Sequence, residues 1–342
     1  MLSGAARRYP VPVTFSEVLT TMASNDVTSL LTRARAADIR ALGRLITLVE
    51  NEPSIVQDID ELILPLVGRA HVVGVTGSPG AGKSTTVGAL TAVLRERGRT
   101  VAVLAIDPSS TTMSGALLGD RVRMHQHDLD PGVFIRSMAS RGSLGGLSAG
   151  APTAVRILDA AGFDVVILET VGVGQSEVDV AAVADTTVVV LVPGMGDQIQ
   201  ADKAGIIESG DVFVVNKADR GGAETMRSQI RLGVSGSGHF AASWTPPIEL
   251  TTATTGAGVD AVVDALDRHW SHLVSSGELD GRRAARSRRE IETLTLQLLR
   301  TRLTGGDGRA HLDSLVAAVA GGRRDPLSAA RELAELLGWE AP

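Results

Sequence analysis

One short segment of the sequence, GSPGAGKST at residues 77–85, combines three glycines with two serines and a lysine. Gly77, Gly82, Lys83 and Ser84 match the pattern G-x-x-x-x-G-K-[ST], with an apolar run before them and a helical pattern after them. Glycines let backbone N–H groups wrap around phosphate oxygens, and the N-terminus of the following helix favours negative charge. In this pattern the lysine reaches the β- and γ-phosphates, and the serine hydroxyl ligates Mg²⁺. The segment therefore predicts a nucleotide phosphate site.

The whole segment is predicted to surround the phosphates. Its predicted nucleotide-contacting residues are Gly77, Ser78, Pro79, Gly80, Ala81, Gly82, Lys83, Ser84 and Thr85. The composition also singles out Lys83, because among 33 basic residues only Lys83, Lys203 and Lys217 are lysines.

An acid follows a continuous apolar run in VVILETVGVGQSE, residues 165–177. Strands buried on both faces of a parallel sheet have this apolar character, so Glu169 should end such a strand. If that strand lies near the phosphate loop, the carboxylate of Glu169 faces Mg²⁺ or a water bound to it, and we predict a metal-binding and catalytic role. Asp107 and Asp120 are further candidates for the Mg²⁺ shell or a switch segment. The alternative for both is an acid in a turn or at a helix cap.

A second motif, VVNKAD, ends another apolar run and supplies the N-K-x-D pattern through Asn216, Lys217 and Asp219. An aspartate carboxylate can accept hydrogen bonds from N1–H and the amino group of guanine, whereas adenine would leave it buried and unpaired. Thr252 and Ala253 follow the next predicted strand, where a backbone N–H usually contacts guanine O6. These residues predict a guanine nucleotide and GTPase chemistry.

Short apolar strands alternate with helical stretches from residue 71 onward. Strands are predicted at 71–77, 100–107, 164–169, 186–192, 211–216 and 247–252, with a further candidate at 133–138, and helices at 83–97, 151–161 and 257–273. This alternation predicts an α/β fold, a doubly wound, mostly parallel sheet in which ligands bind at the carboxyl ends of the strands.

Helical patterns flank this region on both sides. We predict a disordered or misassigned N-terminal tail at 1–25, an N-terminal helical extension at 26–69, the P-loop domain at 70–276 and a C-terminal helical arm at 277–342. In the arm, two helices are predicted to flank a Gly-rich break at 305–308.

Composition narrows the functional classes. The chain has 342 residues, a net charge of −6 and no cysteine. The charge does not favour nucleic acid or an anionic membrane surface, and no apolar run approaches the ~20 residues that span a bilayer. The lack of cysteine rules out disulfides and thiolate metal sites and fits a reducing compartment. We therefore expect a cytoplasmic protein with no nucleic-acid or membrane partner.

With these motifs in place, the chain resembles the MeaB/ArgK family of GTPase chaperones of methylmalonyl-CoA mutase and related cobalamin-dependent acyl-CoA mutases. The resemblance runs from about residue 27 to the C-terminus and is most specific in GSPGAGKST, AIDPSS, LLGDRVRM, RGSLGG, ETVGVGQSEVDV, PGMGDQIQADKAGI and VVNKADR. It implies a GTPase that gates the loading and protection of adenosylcobalamin on a partner mutase.

The resemblance also implies partners and residue roles. Asp107, Asp120 and Glu169 match the Mg²⁺ and switch acids of the family, and the segment 194–203 matches a mobile loop that communicates with the mutase. The implied partners are the mutase, its adenosyltransferase and a second copy of the chain, joined through the C-terminal arm. The implied ligands are Mg²⁺ with GTP or GDP, and no cobalamin is expected on this chain alone.

The residues after Glu169 predict slow hydrolysis by the isolated chain. Gly172 is followed by Val173, where a glutamine would orient the attacking water. We therefore expect a partner to supply the missing organisation, acting through groups such as Gln175.

Three alternatives share a P-loop. A metal-delivery GTPase usually needs cysteine and histidine clusters, and the chain has no cysteine. A protein-targeting GTPase needs a Met-rich apolar domain, and the chain has seven methionines scattered along it. A kinase of a transport-binding protein would transfer phosphate to a protein side chain instead of water.

Overall fold

A computed structural model describes residues 26–107, 127, 129–139, 150–170, 176–194, 210–236, 243–336 and 338. The chain divides into two compact units, Met1–Leu279 and Asp280–Pro342. The tail predicted at 1–25 lies outside the described residues.

The first unit is built around a seven-stranded sheet whose neighbouring strands all run parallel. The strands are β1 His71–Thr76, β2 Val101–Asp107, β3 Val133–Ala139, β4 Val165–Thr170, β5 Thr186–Leu191, β6 Val212–Val215 and β7 Ile248–Leu250. Their spatial order is β3-β2-β4-β1-β5-β6-β7. All the strands predicted from the apolar runs are present, including the less regular run at 133–138.

Helices cover both faces of this sheet. Those of the first unit are α1 26–35, α2 Ile39–Asn51, α3 Val56–Ile63, α4 Lys83–Glu96, α5 Ala151–Ala161, α6 Ser176–Val183, α7 Ala223–Gly236 and α8 Val259–Ser276. One face packs against α4 and α8, and the other packs against the remaining helices. The fold is therefore the predicted doubly wound α/β sheet, and its continuous apolar strands follow from burial on both faces.

The strand order places β1 beside β4 at the centre of the sheet. The register pairs Val73 with Ile167 and Val75 with Glu169. Because both strands run in the same direction, the loop after β1 and the acid near the end of β4 lie at the same edge. Ser84 and Glu169, which are 85 positions apart in the sequence, can therefore meet at this edge.

The N-terminal helices share a core with the sheet. Val27, Leu45 and Ile59 from α1, α2 and α3 belong to the apolar cluster that contains Leu104 and Leu168 of the strands. Hydrogen-bonded ion pairs reinforce this packing: Arg136 of β3 donates to Glu50 at 3.0 Å and Arg156 of α5 donates to Asp60 at 2.8 Å. The helical extension therefore packs on the sheet as part of the first unit.

Side-chain hydrogen bonds that include two histidines hold the start of β1, at the sheet edge opposite to the carboxyl ends of the strands. Nε2 of His71, at the start of β1, lies 2.7 Å from Oγ1 of Thr186, which lies 2.8 Å from Nδ1 of His269 on α8. Asp159 accepts hydrogen bonds from the backbone N–H groups of Arg69 and Ala70 just before β1. The start of β1 is thus held by side-chain contacts from α5, β5 and α8.

The second unit contains the helices α9 Glu278–Thr304, which starts two residues before the unit boundary, α10 Gly306–Ala320 and α11 Pro326–Leu336. The predicted break at 305–308 is wrong in its extent. Helix α10 begins at Gly306, directly after Gly305, which has an extended backbone (φ −108°, ψ 150°). Leu312, Leu315 and Val319 recur at helical spacing and are the signal that indicates this helix. Across the described parts of both units, no helix has the length and apolar character that crossing a bilayer requires.

Candidate nucleotide site

The loop between β1 and α4 has a backbone that only glycine can adopt at two positions. Gly77 has φ +136°, and a Cβ there would lie 2.0 Å from the carbonyl oxygen of Val190 on β5. Gly82 has φ +91°, and a Cβ there would lie 2.5 Å from Nδ2 of Asn216. The sequence therefore builds a tight loop that ends at the N-terminus of α4, where backbone N–H groups are available to an anion.

Lys83 is the first residue of α4 and is held inside this loop. Its side chain is nearly buried, with 7% of its surface exposed. Nζ donates hydrogen bonds to the carbonyl oxygens of Gly77 at 2.6 Å and Ser78 at 3.3 Å. The loop thus fixes a positive charge at the place where the sequence predicts the β- and γ-phosphates.

Ser84 and Glu169 meet directly. The hydroxyl of Ser84 donates to Oε1 of Glu169 at 2.5 Å, and Glu169 is 2% exposed. The two residues come from α4 and β4, as the strand order requires. The structure therefore brings together the serine and one of the acids predicted to serve Mg²⁺.

These two oxygen-bearing side chains fit a magnesium ion. Mg²⁺ prefers oxygen ligands and usually keeps several waters, so one or two protein ligands and the substrate phosphates suffice. The described residues contain no cluster of three or more histidine, cysteine or acidic side chains that could hold a metal by itself. Ser84 and Glu169 therefore suit a Mg²⁺ ion whose other ligands are phosphate oxygens and waters.

Asn216 joins the phosphate loop to the segment that follows β7. Its Nδ2 donates to the carbonyl oxygen of Ala81 at 2.9 Å, and its Oδ1 accepts from the backbone N–H of Ala253 at 3.1 Å and the hydroxyl of Thr251 at 3.3 Å. Asn216 is buried, so these bonds are shielded from water. The residue predicted in the guanine motif therefore connects three segments of the site.

Lys217 makes a second connection to the phosphate loop. It has φ +57°, which is rare for a residue with a side chain, and its Nζ donates to the carbonyl oxygen of Gly80 at 2.8 Å. The strained backbone turns the chain at the end of β6, and the side chain lies along the edge of the loop. Its stem can therefore lie against a bound base.

Asp219 is exposed at the turn after β6. The adjacent Ala218 donates its N–H to the carbonyl oxygen of Thr251 at 2.9 Å, so the turn is fastened to the segment after β7. Thr252 pairs with Ala257 in a short bridge, which orders the backbone on either side of Ala253. The turn that carries Asp219 and the segment that carries Ala253 thus lie at the same edge of the sheet.

One residue of this arrangement was not predicted. Thr251 is buried and its hydroxyl bonds Asn216, whereas the sequence motif indicates only Thr252 and Ala253. The available signal was its position: Thr251 directly follows β7, and Asn216 directly follows the neighbouring strand β6.

Some predicted residues cannot be placed. Asp120 and Gln175 lie outside the described residues, as does the predicted mutase loop after Gly194. Asp107 is the last residue of β2, but its side chain is outside the described part of the structure.

Comparisons with known proteins show the family of this chain. A sequence model of the family described as "Methylmalonyl Co-A mutase-associated GTPase MeaB" matches residues 42–307. A putative GTPase of Pyrococcus horikoshii is 45% identical over 306 residues, which cover 89% of this chain and 96% of the relative. GTPase ArgK of Escherichia coli is 33% identical over 317 residues, which cover 89% and 95% of the two chains.

A solved structure has the same fold. The crystal structure of a protein named LAO/AO transport system kinase matches with a TM-score of 0.68 and 28% sequence identity, covering 92% of this chain and 98% of that chain.

Proposed function

The chain belongs to the MeaB family of methylmalonyl-CoA mutase-associated GTPases, and from that membership we propose that it is the GTPase chaperone of an adenosylcobalamin-dependent acyl-CoA mutase. In this role GTP binding and hydrolysis gate the loading and protection of the cofactor on the mutase. Cobalamin itself is not a ligand of this chain alone. We further propose a cytoplasmic protein that also meets the adenosyltransferase supplying the cofactor.

The observation that carries the proposal is the bonding of Asn216 to both halves of the site. Ala81 belongs to the phosphate loop and Ala253 to the segment predicted to contact guanine O6, and one buried amide bonds both. A single guanine nucleotide can therefore extend from Lys83 to Asp219 across the carboxyl ends of β1, β5 and β6. The family membership then supplies the partner class.

Within this site each residue has a distinct role in hydrolysis. Lys83 stabilises negative charge on the β- and γ-phosphates, because its ammonium is already fixed in the loop. We propose that Ser84 and Glu169 hold Mg²⁺, directly or through a water, and that Asp107 and Asp120 complete the surroundings of the ion. When bound, Mg²⁺ neutralises charge between the phosphates. Gln175 is proposed to orient the attacking water once the partner is bound.

Glu169 is expected to control hydrolysis more than nucleotide binding. Glu169→Gln keeps an oxygen that can accept from Ser84 but removes the negative charge, so magnesium should be held less tightly. Losses of such supporting contacts are about 10- to 100-fold in metal affinity or activity. We expect GTP turnover to fall by that factor at fixed Mg²⁺ while GDP binding stays measurable.

The matched control for this variant is Glu96→Gln, because Glu96 is an exposed glutamate at the other end of α4. Its turnover should equal that of the natural chain. A Glu169→Gln protein with unchanged turnover would contradict the role of the acid.

The chaperone proposal is tested by GTP turnover with and without a cognate mutase. Partner-supplied groups raise turnover by about 10³–10⁵-fold in other GTPases. We expect slow phosphate release from the isolated chain and a clear rise when mutase is added. Fast release without a partner, or no response to any acyl-CoA mutase of the native cell, would contradict the proposal.

We propose that the second unit forms a homodimer interface. No residue of α9, all of which the structure describes, is buried. Ile291, Leu294 and Leu298 recur at helical spacing and are exposed, Leu298 by 70%. An apolar face of this kind usually marks a surface that another chain covers.

Charges on this face should therefore separate the dimer. We expect the double substitution Leu294→Glu and Leu298→Glu to give a monomer in sedimentation equilibrium, while Leu232→Glu on α7 of the first unit leaves the dimer intact. Leu232 is likewise exposed, so it controls for the loss of an apolar surface residue. A natural chain that sediments as a monomer would refute this interface.

The name of the similar solved structure favours one second candidate, a kinase of a transport-binding protein. Labelled GTP separates the two functions, because a kinase leaves a stable phosphoprotein and a GTPase releases free phosphate. We expect free phosphate only.

A further inference from the structure

Two buried threonine hydroxyls lie at the carboxyl ends of β1 and β4. Thr76 is 1% exposed and Thr170 is fully buried. Within the described part of the chain, neither Oγ1 has a hydrogen-bond partner. Buried hydroxyls are normally hydrogen-bonded, so two such groups at the edge that carries the nucleotide site need an explanation.

The register places the two hydroxyls opposite each other. Val75 pairs with Glu169, so Thr76 and Thr170 form the next pair along the same two strands. Side chains alternate along a strand, so these threonines face the side of α6, away from Glu169 and α4. On that side Gly74 lies just below them, and a Cβ there would lie 2.4 Å from Cγ1 of Val180 on α6.

The spacing between the strands suits one shared water. The two hydroxyls do not bond each other directly, because neither Oγ1 has a hydrogen-bond partner among the described residues, although neighbouring strands lie only about 4.7–4.9 Å apart. A water between them can bond both at normal distances, and a buried water needs about two to four polar partners. The strands are otherwise rich in valine, which has almost the shape of threonine and no hydroxyl to satisfy.

We propose that Thr76 and Thr170 hold one ordered water between β1 and β4, and that this bridge positions Glu169 for the magnesium-bound nucleotide. Thr76 immediately precedes Gly77, whose carbonyl oxygen accepts from Lys83, and Thr170 immediately follows Glu169, which accepts from Ser84. The bridge therefore ties the two strand ends that carry the lysine contact and the acid. The positioning half of the proposal rests on the proposed GTPase function.

A double-mutant cycle tests the bridge without any nucleotide. Thr76→Val, Thr170→Val and the double variant are compared with the natural chain by urea unfolding. If both hydroxyls bond one water, each single substitution lowers the urea midpoint of unfolding. The double variant should then have a midpoint no lower than that of the less stable single variant. Thr76→Ser and Thr170→Ser, which keep the hydroxyl, should lower the midpoint only by the loss of one buried methyl group each.

Two results would overturn the bridge. If the valine variants raise the midpoint, the hydroxyls are unsatisfied in the folded protein, because valine removes a buried polar group that lacks a partner. If the two losses simply add, the hydroxyls do not share a partner. Thr91→Val is the matched control, because Thr91 is buried on α4 and its hydroxyl bonds only the carbonyl oxygen of Val87 in its own helix.

The positioning role is tested by the Mg²⁺ concentration that gives half-maximal GTP turnover. We expect Thr170→Val to raise it by about tenfold, within the range seen when groups supporting a metal ligand are lost. Thr170→Ser should restore it, and Thr91→Val should leave it unchanged. An unaltered Mg²⁺ requirement in Thr170→Val would overturn the positioning role. A natural chain that does not bind GTP would instead refute the proposed function, and the unfolding cycle would still decide the bridge.

Discussion

Asp219→Ala is expected to weaken binding of both GDP and GTP by about 10²–10⁴-fold. The substitution removes the carboxylate that accepts from N1–H and from the amino group of guanine, and each of these two hydrogen bonds to a charged group is worth about 1.5–3 kcal/mol. The carboxylate is exposed at the turn after β6, so it is available to a base without first breaking a bond to the protein. The loss should be larger for guanine nucleotides than for ATP, which lacks both donors. Affinity for GDP and ADP, measured by calorimetry with Mg²⁺ present, checks this prediction.

The control for this variant is Asp313→Ala, because Asp313 is an exposed aspartate on α10 of the second unit. It should leave the affinity for GDP unchanged. If Asp219→Ala bound GDP as tightly as the natural chain, another group would have to recognise the base.

Lys83→Ala is expected to lower the turnover of bound GTP by about 10²–10³-fold, the usual effect of removing one preorganised donor from developing charge. The ammonium is nearly buried and held by Gly77 at 2.6 Å, so it needs little rearrangement to meet the phosphates. Single-turnover phosphate release at saturating GTP measures the effect on the chemical step. Thermal unfolding of the same sample shows that the variant is folded.

Lys217→Ala is the informative comparison with Lys83→Ala. Lys217 also donates to the phosphate loop, but at Gly80 on the side of the predicted base. We expect it to raise KM for GTP more than it lowers kcat, since its contacts are the same in the ground state and the transition state. Equal effects of the two substitutions on kcat would contradict the separate roles.

The fold could largely be predicted because its strands are continuous apolar runs. Val165–Leu168 and Thr186–Leu191 are buried on both faces, and short apolar runs that alternate with helical patterns are typical of a covered parallel sheet. The phosphate loop could be predicted for a different reason. Gly77 and Gly82 occupy backbone conformations or close contacts that exclude any side chain, so the sequence has no alternative at these positions.

Other features depend on contacts between distant residues and could not be predicted. The order of strands follows from how the crossovers pack, and only that order makes Thr76 face Thr170. Likewise, N-K-x-D indicates a base site, but nothing in it shows that Asn216 would bond Ala81 and Ala253 at once. The start of α10 at Gly306 was missed because clustered glycines usually interrupt a helix.

A calorimetric titration of the purified chain with GDP, GTP and ADP in the presence of Mg²⁺ measures most directly whether the chain has a guanine-nucleotide site. We expect saturable binding of one GDP or one GTP per chain and no comparable binding of ADP. Heat signals that are flat for both guanine nucleotides, or equal for GDP and ADP, would contradict it.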